Sequence, residues 1–154
     1  MPANHTATET MTGTIYSISA TLPATYDAAG YGSTTVVFTV IDRVESFGVY
    51  GSKRSVTKFQ PITGAVEKLK GAPDYGDASM TMADMPLDPG QIILKAAEAS
   101  MNHYSLKILY PDGEIHYLDV INSEWALPAA KESQALVRTA MLGICKAPVI
   151  VAAP

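Results

Sequence analysis

The sequence predicts a mainly β domain of the α+β class, an antiparallel β-sandwich or barrel-like fold with one flanking α-helix. Segments rich in β-branched and aromatic residues recur along the chain and are separated by Pro, Gly and Asp, which is typical of short strands joined by turns. Only residues 88–102 combine capping residues with helical periodicity. About six or seven strands with a single inserted helix favour an antiparallel arrangement.

Composition sets limits on the function. The chain has 154 residues, of which 47% are hydrophobic, enough for the core of one domain. Its net charge of −4 argues against general binding to nucleic acid, because such binding needs a basic surface. The single cysteine, Cys145, excludes an internal disulfide and a thiolate metal cluster. Charged residues reach only 17%, so we expect partner molecules to cover part of the neutral surface.

The two chain ends differ from the region between them. Residues 1–12 are polar and Thr-rich and predict a flexible N-terminal arm, followed by a β domain over residues 13–147 and an apolar C-terminal tail over residues 148–154. The first basic residue is Arg43, so no secretory signal is predicted. No apolar run reaches the roughly 18 residues that span a bilayer. We therefore expect a soluble protein made in the cytoplasm.

The strongest β signal covers residues 33–50. Its first half, Val36–Ile41, is apolar at almost every position, which predicts burial on both faces. Charged residues from Asp42 to Glu45 then break the pattern, and we expect one face to become exposed there through a bulge. Further strands are predicted at residues 13–20, 78–84, 105–110, 114–121 and 134–145.

Residues 88–102 predict the one helix. Asp88 can cap its first turn, and Pro89 suits the first helical position. Small and apolar residues then recur at helical spacing and predict the buried face; they are Ile92, Ile93, Ala96, Ala97, Ala99 and Ser100.

Charge is distributed unevenly along the chain. Residues 51–71 hold five basic residues and one acidic residue, punctuated by Gly and Pro, so we expect a long cationic loop that returns through a short strand near residues 65–70. Acidic residues dominate residues 72–88 and 112–132. A solvated loop is the simpler interpretation, but segments of opposite charge also favour head-to-tail association of identical copies. The residues assigned to this interface are Lys53, Arg54, Lys58, Lys68, Lys70, Asp74 and Asp77.

Motifs for catalysis and for cofactors are missing from the sequence. It contains no Gly-rich phosphate loop, no GxSxG elbow and no HxxH or HExxH spacing among its three histidines. Cys145 lies in an apolar strand, which is typical of a buried thiol rather than of a nucleophile. Met80 and Met82 alternate along a strand and are predicted to fill the core. We therefore expect no enzyme activity, no catalytic residue, no metal and no cofactor.

The pattern of residues 13–150 resembles the major tail tube proteins of long, non-contractile-tailed (lambda-like, siphovirus) bacteriophages. The resemblance rests on the opening strand Gly13–Ala20 and on the segment Pro23–Tyr31, PATYDAAGY, that follows it. It rests also on the long strand running into the cationic loop, on the D-x-G-Q-x-x-L-x-x-A segment at Asp88–Ala97, and on the final strands.

This resemblance implies a structural role in the virion. Six copies are expected to form a ring in which strands of every copy join one continuous inner β-barrel. Stacked rings then form a tube that conducts DNA without binding it specifically. Expected partners are further copies of the chain, a tape-measure protein and tail terminator or tip proteins, with no membrane. The cationic loop of residues 51–71 corresponds to a family loop that reaches neighbouring subunits and rings, and the two chain ends correspond to inter-ring contacts.

A conduit for DNA should repel phosphates, so acidic side chains are expected to face its lumen. The sequence offers Asp42 and Glu45 on the long strand and Asp119 on the hairpin for this role.

Three other interpretations stay open on the sequence. The first is the hexameric tube of a contractile secretion or injection system, which shares this fold. The second is a small β-sandwich that binds sugar or peptide, for which Trp125 beside Tyr117 is the one hint. The third is a hydrolase that uses carboxylates such as Asp112 and Glu114.

Overall fold

A computed structural model describes residues 12–127 and 136–154 of the chain. These residues form ten β-strands and two α-helices. In chain order the elements are β1 Ile15–Ser19, α1 Ala28–Tyr31, β2 Thr39–Ile41, β3 Val44–Phe47, β4 Lys53–Phe59, β5 Glu67–Asp74, β6 Asp77–Ala83, α2 Pro89–Ala99, β7 Tyr104–Leu109, β8 Ile115–Ala126, β9 Val137–Ile144 and β10 Val149–Val151.

Eight of the strands form one antiparallel sheet in the order β2-β1-β7-β8-β9-β6-β3, with β10 paired to the start of β8. Strands β2 and β3 lie at opposite ends of this order although only Asp42 and Arg43 separate them in sequence. The chain turns sharply there, with a φ of 59° at Arg43. The sheet therefore folds over and encloses a core between its two halves, like a sandwich whose strands change sheet at a corner. This confirms the antiparallel, mainly β fold class.

The core is built from every second residue of the strands. In β6, Ala78, Met80 and Met82 are buried, and in β9, Ala140 and Leu142 are buried opposite them. This alternation follows from the two-residue period of a strand, which places successive side chains on opposite faces. The predicted core position of Met80 and Met82 is confirmed.

Helix α2 packs against β1, β2 and β8 and begins where the sequence predicts. Asp88 caps it, because its Oδ2 accepts a hydrogen bond from the Gln91 amide at 3.0 Å, and Pro89 occupies the first turn. The helix ends at Ala99, followed by an extended Ser100, and is thus shorter than predicted.

The buried face of α2 differs from the predicted one. It consists of Gly90, Gln91, Leu94 and Ala97, whereas Ile92 is 52% exposed. Gln91 can be buried because its side chain is hydrogen-bonded. Its Nε2 donates to the carbonyls of Asp42 and Ala83 at 3.1 and 2.8 Å, and its Oε1 accepts from the Met85 amide at 3.0 Å. A hydrophobic pattern cannot identify a polar residue that is buried because its side chain finds hydrogen-bond partners inside the fold.

The region of residues 33–50 is not one long strand. It forms the two short strands β2 and β3, and the expected burial of its first half on both faces is wrong, since Val37 is 70% and Val40 53% exposed. The physical reason is that Val37 lies in the irregular segment before β2, and Val40 lies on an edge strand, which has a neighbouring strand on one flank only. The predicted bulge is confirmed, because the pairing of β3 with β6 shifts register between Val44 and Ser46.

The C-terminal tail is also more regular than expected. Val149–Val151 forms β10, which pairs with Ile115–Tyr117 of β8. Residues 1–11 of the predicted N-terminal arm lie outside the described residues.

Candidate assembly surfaces

Residues 53–74 form a projecting β-hairpin, where the sequence predicted a loop with one short strand. We call β4, β5 and the turn between them the cationic hairpin. All residues of β4, and all of β5 except Gly71, are exposed. The prediction of a loop was wrong because basic residues and Gly and Pro conceal the strand pattern, although the β-branched residues Val56 and Thr57 do favour a strand.

The two faces of the cationic hairpin differ in chemistry. Directly paired residues share a face, so Val56 and Lys70 lie together, and Lys58 and Lys68 lie together on the same side. On the opposite face Thr57 pairs with Leu69, and Phe59 pairs with Glu67. One face therefore carries cations and the other carries exposed apolar side chains, with Phe59 and Leu69 each 57% exposed.

Lys58 and Lys68 stand directly opposite each other on the cationic face. Like charges in this position destabilise a pair of strands by several tenths of a kcal/mol, about the size of one ordinary cross-strand contact. The hairpin thus carries a repulsion that a nearby anionic surface would relieve. Of the predicted interface residues, Lys53, Arg54, Lys58, Lys68, Lys70 and Asp74 all lie on this hairpin, and Asp77 begins β6 at its base.

The outward side of β6, β9 and the second half of β8 forms a second surface, which we call the open face. Its members alternate with the buried core residues and include small, hydroxylated, apolar and acidic side chains. The open face comprises Asp77, Ser79, Thr81, Ala83, Ile121, Glu124, Val137, Thr139, Met141 and Gly143. Its charged members are acids, and in the described residues no helix packs over it.

The outward side of the other half of the sheet is covered by its own chain. Tyr31 of α1 stacks on Tyr117 with ring centroids 4.9 Å apart, and Phe38 lies against the same ring at 5.8 Å. Tyr117 is consequently only 7% exposed. This burial removes the aromatic platform that a sugar-binding interpretation would need, because Tyr117 offers no open ring face.

The three acidic residues predicted for a lumen have different positions. Asp42 lies in the exposed turn between β2 and β3, and Glu45 is exposed on β3. Asp119 is fully buried, with its carboxylate 3.1 Å from Nδ1 of His103, so its assignment to a lumen is wrong. Asp119 lies on the same side of β8 as Tyr117, which faces away from the core. Helix α1 and the chain after β9 cover that side of the sheet.

Cys145 was predicted to be buried and is exposed. It lies just beyond the end of β9, where its amide donates to the carbonyl of Asp119 at 2.8 Å. Partial burial, and then the negative charges of Asp119 and Asp77, raise the pKa of the Cys145 thiol. A raised pKa lowers the thiolate fraction and so gives no activation for nucleophilic chemistry.

A compact polar network lies at the base of the cationic hairpin and was not identified from the sequence. The Tyr50 hydroxyl is 2.6 Å from that of Tyr110 and 2.5 Å from Nδ1 of His116, whose Nε2 is 2.6 Å from Oε1 of Glu114. Burial, followed by the bond to Tyr110, raises the pKa of Tyr50 well above its usual range, which keeps the hydroxyl protonated. Spacing in sequence gives no signal for this network, because Tyr50 is 66 residues from His116.

Neither of the two helices in the described part of the chain is long and apolar enough to cross a bilayer. Residues 12–127 and 136–154 bring together no group of three metal-ligating side chains.

The fold is shared with proteins of phage tails and related injection machines. Across 97% of this chain and 100% of the other, it is similar to a chain of the PVC sheath/tube terminator of an extracellular contractile injection system, with a TM-score of 0.68 and 9% identity. It is similar to the SPP1 tail tube over 90% of this chain and 76% of that one, with a TM-score of 0.62 and 10% identity.

A third similar structure comes from the virion of a native gene transfer agent particle. The TM-score is 0.59 at 12% identity, over 75% of this chain and 89% of that chain. No protein-family model and no curated protein matches the sequence. At these identities the likeness establishes a common fold.

Proposed function

We propose that this protein is a structural tube subunit of a virion, the major tail tube protein of a long, non-contractile phage tail. Six copies form a ring, the rings stack into a tube around a tape-measure protein, and the tube later conducts DNA. The protein carries out no catalysis in this role. Terminator and tip proteins would close the two ends of the tube.

The observation that carries the proposal is the cationic hairpin. It projects from the body, none of its residues belongs to the hydrophobic core, and it exposes Phe59 and Leu69 to solvent. Such a hairpin is marginal on its own, because two strands without a covered face have little to hold them together. A neighbouring copy would supply that cover, and the likeness to the SPP1 tail tube supports the assembly type.

Charge complementarity favours a second copy as the occupant. Five of the chain's 11 basic residues lie within residues 53–74, which include two acids. The rest of the chain therefore has six basic residues against 13 acidic ones. A positive projection on a negative body favours a head-to-tail contact, which closes into a ring or continues as a stack.

We propose further that the open face lines the lumen. Its acids, Asp77 and Glu124, lie with Glu45 of β3 on a side that also carries hydroxylated residues such as Ser79 and Thr81. An acidic, smooth wall repels phosphates and gives DNA no cation to bind. Of the predicted lumen residues, Glu45 fits this surface, and Asp42 lies at its border in the turn before β3.

Charge reversal on the hairpin tests the proposal. The double variant Lys58→Glu/Lys68→Glu should stay folded, because both residues are exposed, but should form tubes at least about tenfold more slowly as the complementary field is lost. The matched control Lys95→Glu/Lys146→Glu makes the same change in net charge outside the hairpin and should assemble normally. Light scattering measures the rate, and normal assembly of the first variant would contradict the docking role.

A second candidate is the tube of a contractile injection system. The observation in its favour is the match over the full length of the PVC chain. A gene for a sheath protein beside the gene for this chain would favour the second candidate, and its absence would favour the first.

A further inference from the structure

The cationic hairpin is joined to the body by two short connectors, each with a glycine of positive φ. These are Gly51, with a φ of 143°, and Gly76, with a φ of 86°. The connectors meet through one bond, from the Gly51 amide to the Tyr75 carbonyl at 3.2 Å. Because glycine crosses these conformations at little cost, the backbone alone leaves the angle between hairpin and body weakly fixed.

The second connector is attached to the sheet through its backbone. The Ile144 amide donates to the Gly76 carbonyl at 3.0 Å, which ties this connector to the end of β9. The first connector is tied at its far end, where the Gly48 amide donates to the Ser79 carbonyl at 2.8 Å. Between Gly48 and Gly51 the attachment depends on a side chain.

That side chain is Tyr50. Its ring packs edge-on against Phe47, and its hydroxyl reaches Tyr110 and His116, at the end of β7 and the start of β8. A carboxylate can only accept, so Nε2 of His116 carries the proton that it shares with Glu114. In a neutral imidazole with its proton on Nε2, Nδ1 is an acceptor, so the Tyr50 hydroxyl donates to it. The Tyr50 and Tyr110 hydroxyls share a second hydrogen bond.

We propose that the hydrogen bond between Tyr50 and His116 is a latch that holds the cationic hairpin at a fixed angle before subunits assemble. Glu114 is a positioning residue in this arrangement, since it sets the tautomer and the orientation of the His116 ring. A pre-oriented hairpin loses less conformational freedom on docking, which favours association. The inference rests on the proposed docking role of the hairpin.

Amide hydrogen exchange tests the latch on the unassembled subunit, at a concentration where sedimentation shows a single species. Tyr50→Phe keeps the ring on Phe47 and removes the hydroxyl. Amide exchange across residues 51–76 should become about fivefold to tenfold faster, because the loss of about one hydrogen bond makes local opening more frequent by that factor. Tyr110→Phe leaves the bond to His116 in place and should give a smaller increase.

Tyr16→Phe is the matched control. Tyr16 packs on Phe47 in the same aromatic cluster, with centroids 5.3 Å apart, and its hydroxyl takes part in none of the hydrogen bonds that join Tyr50, Tyr110, His116 and Glu114. Exchange at the wild-type rate in Tyr50→Phe, or an equal increase in the control, would overturn the latch. Tube formation by the wild type is a separate measurement, so a failure of the proposed function is distinguishable from a failure of the latch.

Discussion

Gly90 shows how a single residue fixes the packing of the helix. A Cβ atom at this position would lie 2.3 Å from the carbonyl oxygen of Val40 and 2.7 Å from the Cα of Ile41. Helix α2 therefore contacts the backbone of β2 at Gly90, which has no side chain to keep the two backbones apart. This close approach gives a physical reason for glycine at the third position of the D-x-G-Q segment.

Gly90→Ala should accordingly lower the free energy of unfolding by about 2–3 kcal/mol, because backbone atoms on both sides must move apart. Gly64→Ala is the control, since a Cβ there would meet the Pro61 ring at 3.7 Å without strain, and the change should stay within about 0.5 kcal/mol. Urea denaturation measures both variants. Equal stability of the two would show that the helix can shift without cost.

Cys145 provides a prediction on pH. Since partial burial and the charges of Asp119 and Asp77 raise the pKa of its thiol, the thiolate should form at higher pH than in the unfolded chain. The rate of alkylation by iodoacetamide should therefore reach half its maximum at higher pH in the folded subunit than in urea. A folded profile at or below the unfolded one would contradict the electrostatic environment described here.

At the scale of elements, the cationic hairpin is independent of the core. Replacing residues 53–74 by two glycines should leave a folded body. The two glycines would join Ser52 to Tyr75, and the hydrogen bond from the Gly51 amide to the Tyr75 carbonyl already holds the chain together at this point. The thermal midpoint should fall by no more than a few degrees, about what a loss of roughly 1 kcal/mol produces. The same variant should form no tubes.

The control for this deletion is a chain that keeps the hairpin and carries Gly64→Ala in its turn. It should fold and assemble like the wild type. An unfolded deletion variant would mean that the hairpin supports the body, and tubes formed without the hairpin would mean that docking uses another surface.

The elements with strong local signals were predictable from the sequence. Asp88 and Pro89 mark the start of α2, and the alternation of Met80 and Met82 places the core face of β6. Elements defined by distant partners were not. The division of residues 33–50 into β2 and β3 depends on which neighbours each half meets, and Asp119 is buried by segments far away in sequence. The hydrogen-bond network around Tyr50 could not be predicted either, because its members are far apart in sequence.

At the scale of the whole molecule, the sheet has two ends that residues 12–127 and 136–154 leave unpaired. Strands β2 and β3 terminate the eight-stranded sheet, with Val40 of β2 and Val37 just before it exposed at one end. Free edges favour pairing with other chains unless something blocks them. In a ring of identical copies the same edges become contacts, so the property that is a hazard for a monomer serves the assembly.

Assembly should also depend on salt. The positive hairpin and the negative body attract over a distance that the Debye length limits, about 10 Å at 0.1 M ionic strength and about 3 Å at 1 M. Tube growth should therefore slow as sodium chloride rises from 0.1 to 1 M, with the charge-reversed hairpin variant responding less. Light scattering at fixed protein concentration measures the effect, and faster growth of the wild type at high salt would indicate that apolar contacts dominate docking.

The central claim is that identical copies of this chain build a tube. Electron microscopy of the concentrated, purified protein tests it most directly. We predict hollow tubes made of stacked six-membered rings, with the cationic hairpins at the contacts between subunits. A protein that stays monomeric in sedimentation and shows no rings or tubes on the grid, over the full range of concentration and salt, would contradict the account.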